Sequence, residues 1–358
     1  MGTNRIYHYH VNIRFKGNGP ANRIGIRYSE YAGSQGFKDT FVFFQKSCSM
    51  VLSRTRLYTD GEILSKANNS INTQIIKALL CYYAVSADFP VVDSISIVRK
   101  KTGHPDYAYT ECDKILQPIG YFANRTLSCS LNVLDVLLKE TSKGQAIRIA
   151  MSYWLKGIAS EDVYYKFDHL WRAFNRLFMY QGNDPKEFEC MRAMRDFILN
   201  NPASFPQSIS VTNAYTRDEL HGFRWSRMIL NDYDTRKKTD ALVQFVQRYH
   251  DSRIMNLLSE KLACRSNFID DPINPALRTA IDNHINSNLH STVDVELVTL
   301  LSIKYSYFVR NKMFHGETTD GTFKVRPNNL DNEMKLLNHL LEVLVRELIE
   351  NHLLLRGV

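Results

Sequence analysis

The sequence predicts an α+β N-terminal domain over residues 1–130, followed by an all-α helical bundle over residues 131–358. Short segments of alternating polar and apolar residues, typical of strands, lie in the first third of the chain. Beyond it, apolar residues recur at helical spacing. The charge changes at the same place: residues 1–130 carry 16 Lys+Arg against 9 Asp+Glu, a net charge of +7, whereas residues 131–358 carry 29 against 28, a net charge of +1.

The first strand is predicted along YHYHVNIRF, residues 7–15, where Tyr, Val, Ile and Phe alternate with polar residues. A period of two indicates a strand with one buried face. We therefore expect Val11 and Ile13 to be buried and His8 and His10 to be exposed. Further strands are predicted at residues 23–28, 39–45 and 91–100, and a helix that packs on the sheet at residues 71–85.

The sequence predicts no metal site and no cofactor. His8 and His10 lie two residues apart on one strand, a spacing at which two imidazoles can share a metal ion. No third ligand lies nearby in the sequence, so two exposed polar side chains are the prediction. The six cysteines include no C-x-x-C pair, which favours reduced thiols in a cytoplasmic protein over a disulfide framework or a zinc ribbon.

Hydropathy and charge limit the possible partners. No apolar run reaches the roughly 18 residues that span a bilayer, and the first ten residues lack the apolar core of a secretory signal. These patterns predict no membrane partner and a cytoplasmic location. The basic N-terminal region beside a near-neutral region suggests a polyanion such as nucleic acid; the alternative, that its charge serves solubility alone, stays open.

Beyond residue 130 the predicted elements are helices. The helix that ends at Gly182 has a candidate N-cap in Ser160 and a core stripe that includes Phe167, Trp171 and Phe174. Residues 201–210 are predicted to form a loop. Other helices are predicted at residues 132–140, 144–158, 186–200, 241–250, 252–263, 275–286, 291–314 and 330–355, and those around residues 200–290 form a helical insertion.

The stretch FVRNKMFHGE, residues 308–317, places Arg310 and His315 near a predicted helix end. At about 100° per residue, a separation of five residues rotates a side chain by roughly 500°, so the two side chains do not share a face of an ideal helix. Either the helix distorts at its end or the pair converges across two subunits. Gly316 is a typical residue to follow a helix, so His315 is expected at the helix terminus, where the dipole favours the imidazolium form.

These residue types suit metal-independent cleavage of RNA. Attack of a ribose 2′-OH on the adjacent phosphate needs a base, an acid for the 5′-oxygen and positive charge near the phosphorane. His315 is a candidate for proton transfer, and Arg310 for charge-assisted hydrogen bonds to the phosphate. Asn311 and Lys312 are candidates to orient and attract the phosphate. A competing interpretation is that cations lie there only because the helix dipole favours them.

Two segments resemble a known family. RNKMFH, residues 310–315, is similar to the HEPN signature, in which an arginine and a polar residue precede a histidine; FVRNxxFHG resembles its bacterial defence and toxin subgroup. FDHLWRAFNRLF, residues 167–178, resembles the first long helix of that subgroup, and the resemblance covers roughly residues 145–357. It implies a homodimeric bundle with a composite endoribonuclease site, in which Arg310 and His315 are catalytic and Asn311 is their polar companion.

The leading hypothesis is an endoribonuclease that acts as an anti-phage or toxin-type effector on an RNA substrate. Residues 1–130 would grip RNA or contact an activating or neutralising partner. The alternative is a non-catalytic HEPN module for dimerisation or RNA binding. A DNA-directed binder ranks lower, because the basic region shows no helix-turn-helix or zinc pattern. The long interval between the two matching segments departs from a minimal bundle, and the insertion there would remodel the dimer or shield the RNA groove.

Overall fold

The computed structural model describes residues 6–17, 19–20, 24–29, 38–58, 60–66, 69–86, 88–100, 107–119, 127–270, 275–314, 326 and 329–356. These residues confirm the predicted fold class, an antiparallel sheet followed by a largely helical region. The chain separates into a first unit, residues 1–161, 172–180 and 348–358, and a second unit, residues 162–171 and 181–347. The predicted boundary at residue 130 rests on composition and stays a prediction.

A six-stranded antiparallel sheet forms within the described part of the first unit. Its order is β2-β3-β4-β1-β5-β6, and β1 is central, with Ile13 opposite both Cys48 on β4 and Ile95 on β5. The sequence patterns do not predict β4 and β6. The strands are β1 Tyr7–Lys16, β2 Gly25–Ser29, β3 Asp39–Phe43, β4 Ser47–Arg54, β5 Val91–Lys100 and β6 Tyr107–Glu111.

One face of the sheet forms a hydrophobic core with helix α2, Ser70–Val85. Val11 and Ile13 are buried and His8 and His10 are exposed, which confirms the predicted alternation. The Phe15 ring stacks on Tyr82 of α2 with the ring centroids 3.8 Å apart. Such an aromatic pair stabilises the fold by about 0.5–1.5 kcal/mol beyond the area that it buries. A short helix, α1, Asp60–Ser65, precedes α2.

Buried charges also hold α2 in place. Asp39 accepts hydrogen bonds from Arg54 Nη1 at 2.8 Å, from Arg54 Nη2 at 2.7 Å and from Gln74 Nε2 of α2 at 2.6 Å. Lys77 of α2 is fully buried and pairs with Glu140. Burial lowers the pKa of the Lys77 ammonium, although Glu140 acts in the opposite direction. These groups satisfy one another in an interior where an unpaired charge would be costly.

The rest of the described chain is mostly helical. Among the described residues, no helix combines the length and the apolarity that crossing a membrane requires. Short 3₁₀ turns lie at Pro202–Ser204, Arg236–Lys238 and Leu262–Arg265. The helices are α3 Val133–Leu138, α4 Ser142–Ile158, α5 Val163–Gly182, α6 Glu187–Asn200, α7 Pro206–Asn213, α8 Arg217–Gly222, α9 Trp225–Asp232, α10 Thr239–Gln247, α11 Ser252–Lys261, α12 Ser266–Ile269, α13 Ala276–Asn288, α14 Asp294–Thr299, α15 Ser306–Phe314 and α16 Asn329–Glu350.

Three local predictions are wrong. Residues 201–210 are not a loop, because α7 begins at Pro206, and proline is well accommodated at the first helical position. Ser160 is not the cap of α5; Asp162 Oδ1 accepts hydrogen bonds from the backbone N–H groups of Tyr164 at 2.9 Å and Tyr165 at 2.7 Å. The last helix ends at Glu350 rather than continuing to residue 355.

Candidate functional site

The candidate site lies at the end of a helix with an unusual middle. Residues 294–314, here called the Arg310 helix, comprise α14, a π-helical segment at Leu300–Tyr305, and α15. Within it, Ser306 Oγ donates to the backbone oxygen of Leu301, five residues earlier, at 2.8 Å. π-Helical turns are rare and frequently occur at functional sites. The segment changes the angular phase of α15 relative to α14, so an ideal helical wheel drawn from residue 294 misplaces Arg310.

Aromatic side chains hold the Arg310 helix from one side. The Tyr305 ring lies 5.0 Å from the Phe223 ring and 4.7 Å from the Trp225 ring, centroid to centroid. The Tyr305 hydroxyl accepts a hydrogen bond from the Arg224 backbone N–H at 2.7 Å. The Arg224 guanidinium pairs with Glu333 of α16 at 2.8 Å. The helical segment around residues 206–288 therefore packs directly against the Arg310 helix.

Within the second unit, Trp171 of one segment that resembles the HEPN family contacts the helix that carries the other segment. Trp171 of α5 is buried, and its ring lies 6.2 Å from that of Tyr307, three residues before Arg310. The start of α5 also contacts α16, since Asn338 Nδ2 donates to the Val163 backbone oxygen at 2.7 Å. Nothing in the sequence alone requires segments so far apart to lie together. Their contact joins the N-terminal turns of α5, the Arg310 helix and α16 into one helical cluster.

Arg310, Asn311 and Lys312 all lie in the last turns of α15 and are half-buried. Arg310 Nη1 donates a hydrogen bond to Asn311 Oδ1 at 3.0 Å. The described part of the helix extends to Phe314. His315 and Gly316 lie outside the described residues, so the predicted geometry of Arg310 and His315 stays a prediction. The described residues bring Arg310 and Asn311 together, and both side chains retain access to the surface.

The sequence also singles out His8, His10 and the cysteines. His8 and His10 are exposed, and His8 Nδ1 lies 3.1 Å from Ser53 Oγ. Among the described residues, no group of three or more His, Cys, Asp or Glu side chains is arranged to hold a metal ion. Cys48 and Cys81 are free, buried thiols. Burial raises the pKa of the Cys81 thiol to about 12, which disfavours the reactive thiolate.

The structure contains a cleft beside the Arg310 helix that the sequence does not predict. It has a volume of about 560 Å³ and is lined by α6, α9, α10 and the Arg310 helix. Its residues come from separate parts of the second unit, so no local motif identifies them. The signal that the sequence does carry is a pair of cations on one face of α6, Arg192 and Arg195, which by itself is typical of a solvated helix surface.

Comparison with protein-family models, with curated proteins and with solved structures finds no match to this chain. The resemblance to the HEPN family therefore rests on the residues of the two segments quoted above.

Proposed function

We propose that this protein is a metal-independent endoribonuclease of the HEPN type, acting as an anti-phage or toxin-type effector. One observation carries the proposal. Trp171, within the segment 167–178, packs against Tyr307, which lies one helical turn before the segment 310–315 and its half-buried Arg310–Asn311 pair. A chance resemblance in two separate segments gives no reason for them to pack against each other.

The proposed reaction needs only side chains of this protein. His315 removes the proton from the ribose 2′-OH, the 2′-oxygen attacks phosphorus, and the bond to the 5′-oxygen breaks. The His315 imidazolium returns the proton to the 5′-oxygen as that bond breaks, which leaves a 2′,3′-cyclic phosphate and a 5′-hydroxyl. Arg310 donates to the non-bridging phosphate oxygens as negative charge develops. Asn311 Oδ1 orients the guanidinium through the observed 3.0 Å hydrogen bond, and Lys312 attracts the RNA backbone.

The proposal includes a homodimer with a composite site. Five residues of helix rotate Arg310 and His315 onto different faces, so a second copy of the chain supplies the complementary group most simply. The basic N-terminal region, with its net charge of +7 over residues 1–130, is proposed to contact RNA or an activating or neutralising partner.

The test is cleavage of end-labelled single-stranded RNA by the purified full chain, in buffer containing EDTA. Arg310→Ala should lower the rate by roughly 10²–10³-fold, because one preorganised donor to the transition state is lost. Arg310→Lys should fall between Arg310→Ala and the wild type, since it keeps the charge without the planar fork. The products should carry 2′,3′-cyclic phosphates.

Arg227→Ala is the matched control, because Arg227 is an exposed arginine on α9 in the same unit. Its RNA cleavage should equal that of the wild type. Full activity of Arg310→Ala, or loss of activity in EDTA, would contradict the proposal. RNA that is bound but uncleaved, both by the isolated protein and in phage-infected extract, would support the alternative of a non-catalytic dimerisation or RNA-binding module.

A further inference from the structure

The cleft of about 560 Å³ lies entirely within the second unit. Three helices each present one stripe of residues to it. Phe188, Arg192 and Arg195 follow one face of α6. Ala241 and Gln244 lie on one face of α10, and Arg248 directly follows its last residue. Ile303, Lys304 and Tyr307 come from the Arg310 helix. This volume falls within the range of small-molecule sites, roughly 300–1,000 Å³.

The cleft is strongly cationic. Its only lining carboxylate among the described residues is Asp232, which pairs with Lys304 at 2.5 Å. The charges of Asp232 and Lys304 cancel, so the other lining residues carry an excess of positive charge. Five cations line the cleft: Arg192, Arg195, Lys238, Arg248 and Lys304.

The remaining cations have carboxylate partners outside the cleft or none. Arg192 pairs with Glu189 at 2.8 Å, Arg195 with Asp196 at 2.7 Å and Lys238 with Asp234 at 2.8 Å, and none of these carboxylates lines the cleft. Exposed ion pairs of this kind contribute only about 0–1 kcal/mol, so an anion of higher charge can recruit these cations. Arg248 is exposed and has no ion-pair partner among the described residues.

Aromatic rings complement the charge. Phe188 is 61% exposed at the cleft, an unusual position for a large apolar side chain. Tyr233 and Tyr307 form further parts of the lining, and the Lys304 ammonium lies 5.0 Å from the centre of the Tyr233 ring. The exposed Phe188 ring and the half-buried Tyr307 ring beside cations suit a ligand with a flat aromatic part and an anionic part, because bases stack on aromatic side chains while phosphate binds arginine.

We propose that this cleft binds a nucleotide, with its phosphate against Arg192, Arg195 and Arg248 and its base against the aromatic lining. The nucleotide is either free in solution or part of an RNA strand. Tyr307 lies three residues before Arg310, so the two are neighbours on the helix surface. A nucleotide in the cleft thus lies one helical turn from the proposed nuclease site, but its binding does not depend on cleavage.

Isothermal titration of the full chain with the four nucleoside 5′-monophosphates tests the proposal. Inorganic phosphate and the matching nucleosides are titrated separately for comparison. At least one nucleotide should bind at least about tenfold more tightly than either phosphate or its nucleoside, because phosphate contacts only the cations and the nucleoside only the aromatic rings. This titration contains no RNA to cleave, so absence of RNA cleavage leaves the nucleotide test valid, and absence of nucleotide binding leaves the nuclease proposal standing.

Two variants place the binding in the cleft. Arg248→Ala should weaken nucleotide binding about tenfold, the effect of losing one charge-assisted hydrogen bond. Ala241→Trp places a large ring in the cleft and should abolish binding; because Ala241 is an exposed position on α10, the helix should remain folded. The controls are Arg227→Ala and Gln247→Trp, exposed positions of the same unit that do not line the cleft.

A competition experiment distinguishes the two sources of nucleotide. The competitor is a 5′-phosphorylated hexanucleotide RNA whose 2′-O-methyl riboses prevent cleavage by 2′-OH attack. Displacement of the monophosphate by this RNA assigns the cleft to an RNA strand, and no displacement assigns it to a free nucleotide. The inference is overturned if no nucleotide binds at about 1 mM, a Kd near the weak limit of specific binding. It is also overturned if inorganic phosphate binds as tightly, or if Arg248→Ala and Ala241→Trp bind normally.

Discussion

At the scale of single residues, Asp251 shows how burial and pairing together determine stability. Asp251 is fully buried and accepts hydrogen bonds from Arg253 Nε at 2.8 Å, Arg253 Nη2 at 2.9 Å and the Val293 backbone N–H at 3.0 Å. Burial by itself raises the pKa of this carboxyl, but the hydrogen bonds and the charge of Arg253 outweigh it, so the pKa lies below its usual value. Asp251 thereby links the start of α11 to the chain entering the Arg310 helix.

The lowered pKa of Asp251 predicts a loss of stability in acid. A carboxyl with a lower pKa in the folded state stabilises the fold fully above its unfolded pKa of about 4, and this stabilisation is lost as the pH falls through the folded pKa. Asp251→Asn should therefore lower the free energy of unfolding by about 2 kcal/mol at pH 7, somewhat less than for a fully buried ion pair because Arg253 is partly exposed. Urea unfolding at pH 7, 5 and 3 measures both effects.

The variant should also lose less stability than the wild type between pH 5 and pH 3. The matched control is Asp282→Asn, since Asp282 forms a surface pair with Arg278 at 2.8 Å and should change stability by less than about 1 kcal/mol. Equal losses of stability in acid for the wild type and Asp251→Asn would show that this carboxylate does not contribute as described.

At the scale of elements, helix ends depend on particular capping residues. The Thr141 hydroxyl oxygen accepts a hydrogen bond from the Gly144 backbone N–H at 3.0 Å and caps α4. The predicted start of this helix at residue 144 is two residues late, because capping residues precede the apolar periodicity that identifies a helix. The Arg310 helix shows the same limit internally, since LLSIKY carries no local signal of a π-helical segment.

Removal of the α4 cap should have a measurable cost. Thr141→Ala should lower the free energy of unfolding by about 1 kcal/mol, because one backbone donor of the first turn loses its partner. Thr141→Ser keeps the hydroxyl and should remain close to the wild type. Thermal unfolding followed by circular dichroism measures both variants, and equal midpoints for the alanine and serine variants would contradict a capping role.

At the scale of the whole molecule, the proposed composite site depends on two copies of the chain. A symmetric dimer carries two such sites, each with Arg310 from one subunit and His315 from its partner. Chains with Arg310→Ala and chains with His315→Ala should therefore each be inactive alone. In a mixed dimer, one site combines both substitutions and the other contains neither.

Mixing the two inactive variants should restore RNA cleavage to about a quarter of the wild-type rate, since half of the dimers are mixed and each has one intact site. The variants are combined under conditions of subunit exchange, and the rate is compared with that of each variant alone. A dimeric mass with no recovered activity would mean that each subunit supplies both groups to its own site. A monomeric mass would remove the composite site altogether.

The sequence by itself determined the fold class and most of the element types, because alternation and helical spacing are local properties of the chain. The strand predicted at residues 91–100 has the observed bounds of β5. The position of Arg310, Asn311 and Lys312 near a helix end followed from the same periodicity, because the apolar spacing stops there and glycine follows.

Only the tertiary structure decided the pairing of β4 with β1 and of β6 with β5, the helix beginning at Pro206, the π-helical segment, the contact of Trp171 with Tyr307 and the cationic cleft. Each of these depends on contacts between residues far apart in the chain. The free energy gained by burial against distant partners is larger than that of a local preference for helix or strand. A local sequence pattern therefore does not reveal these features.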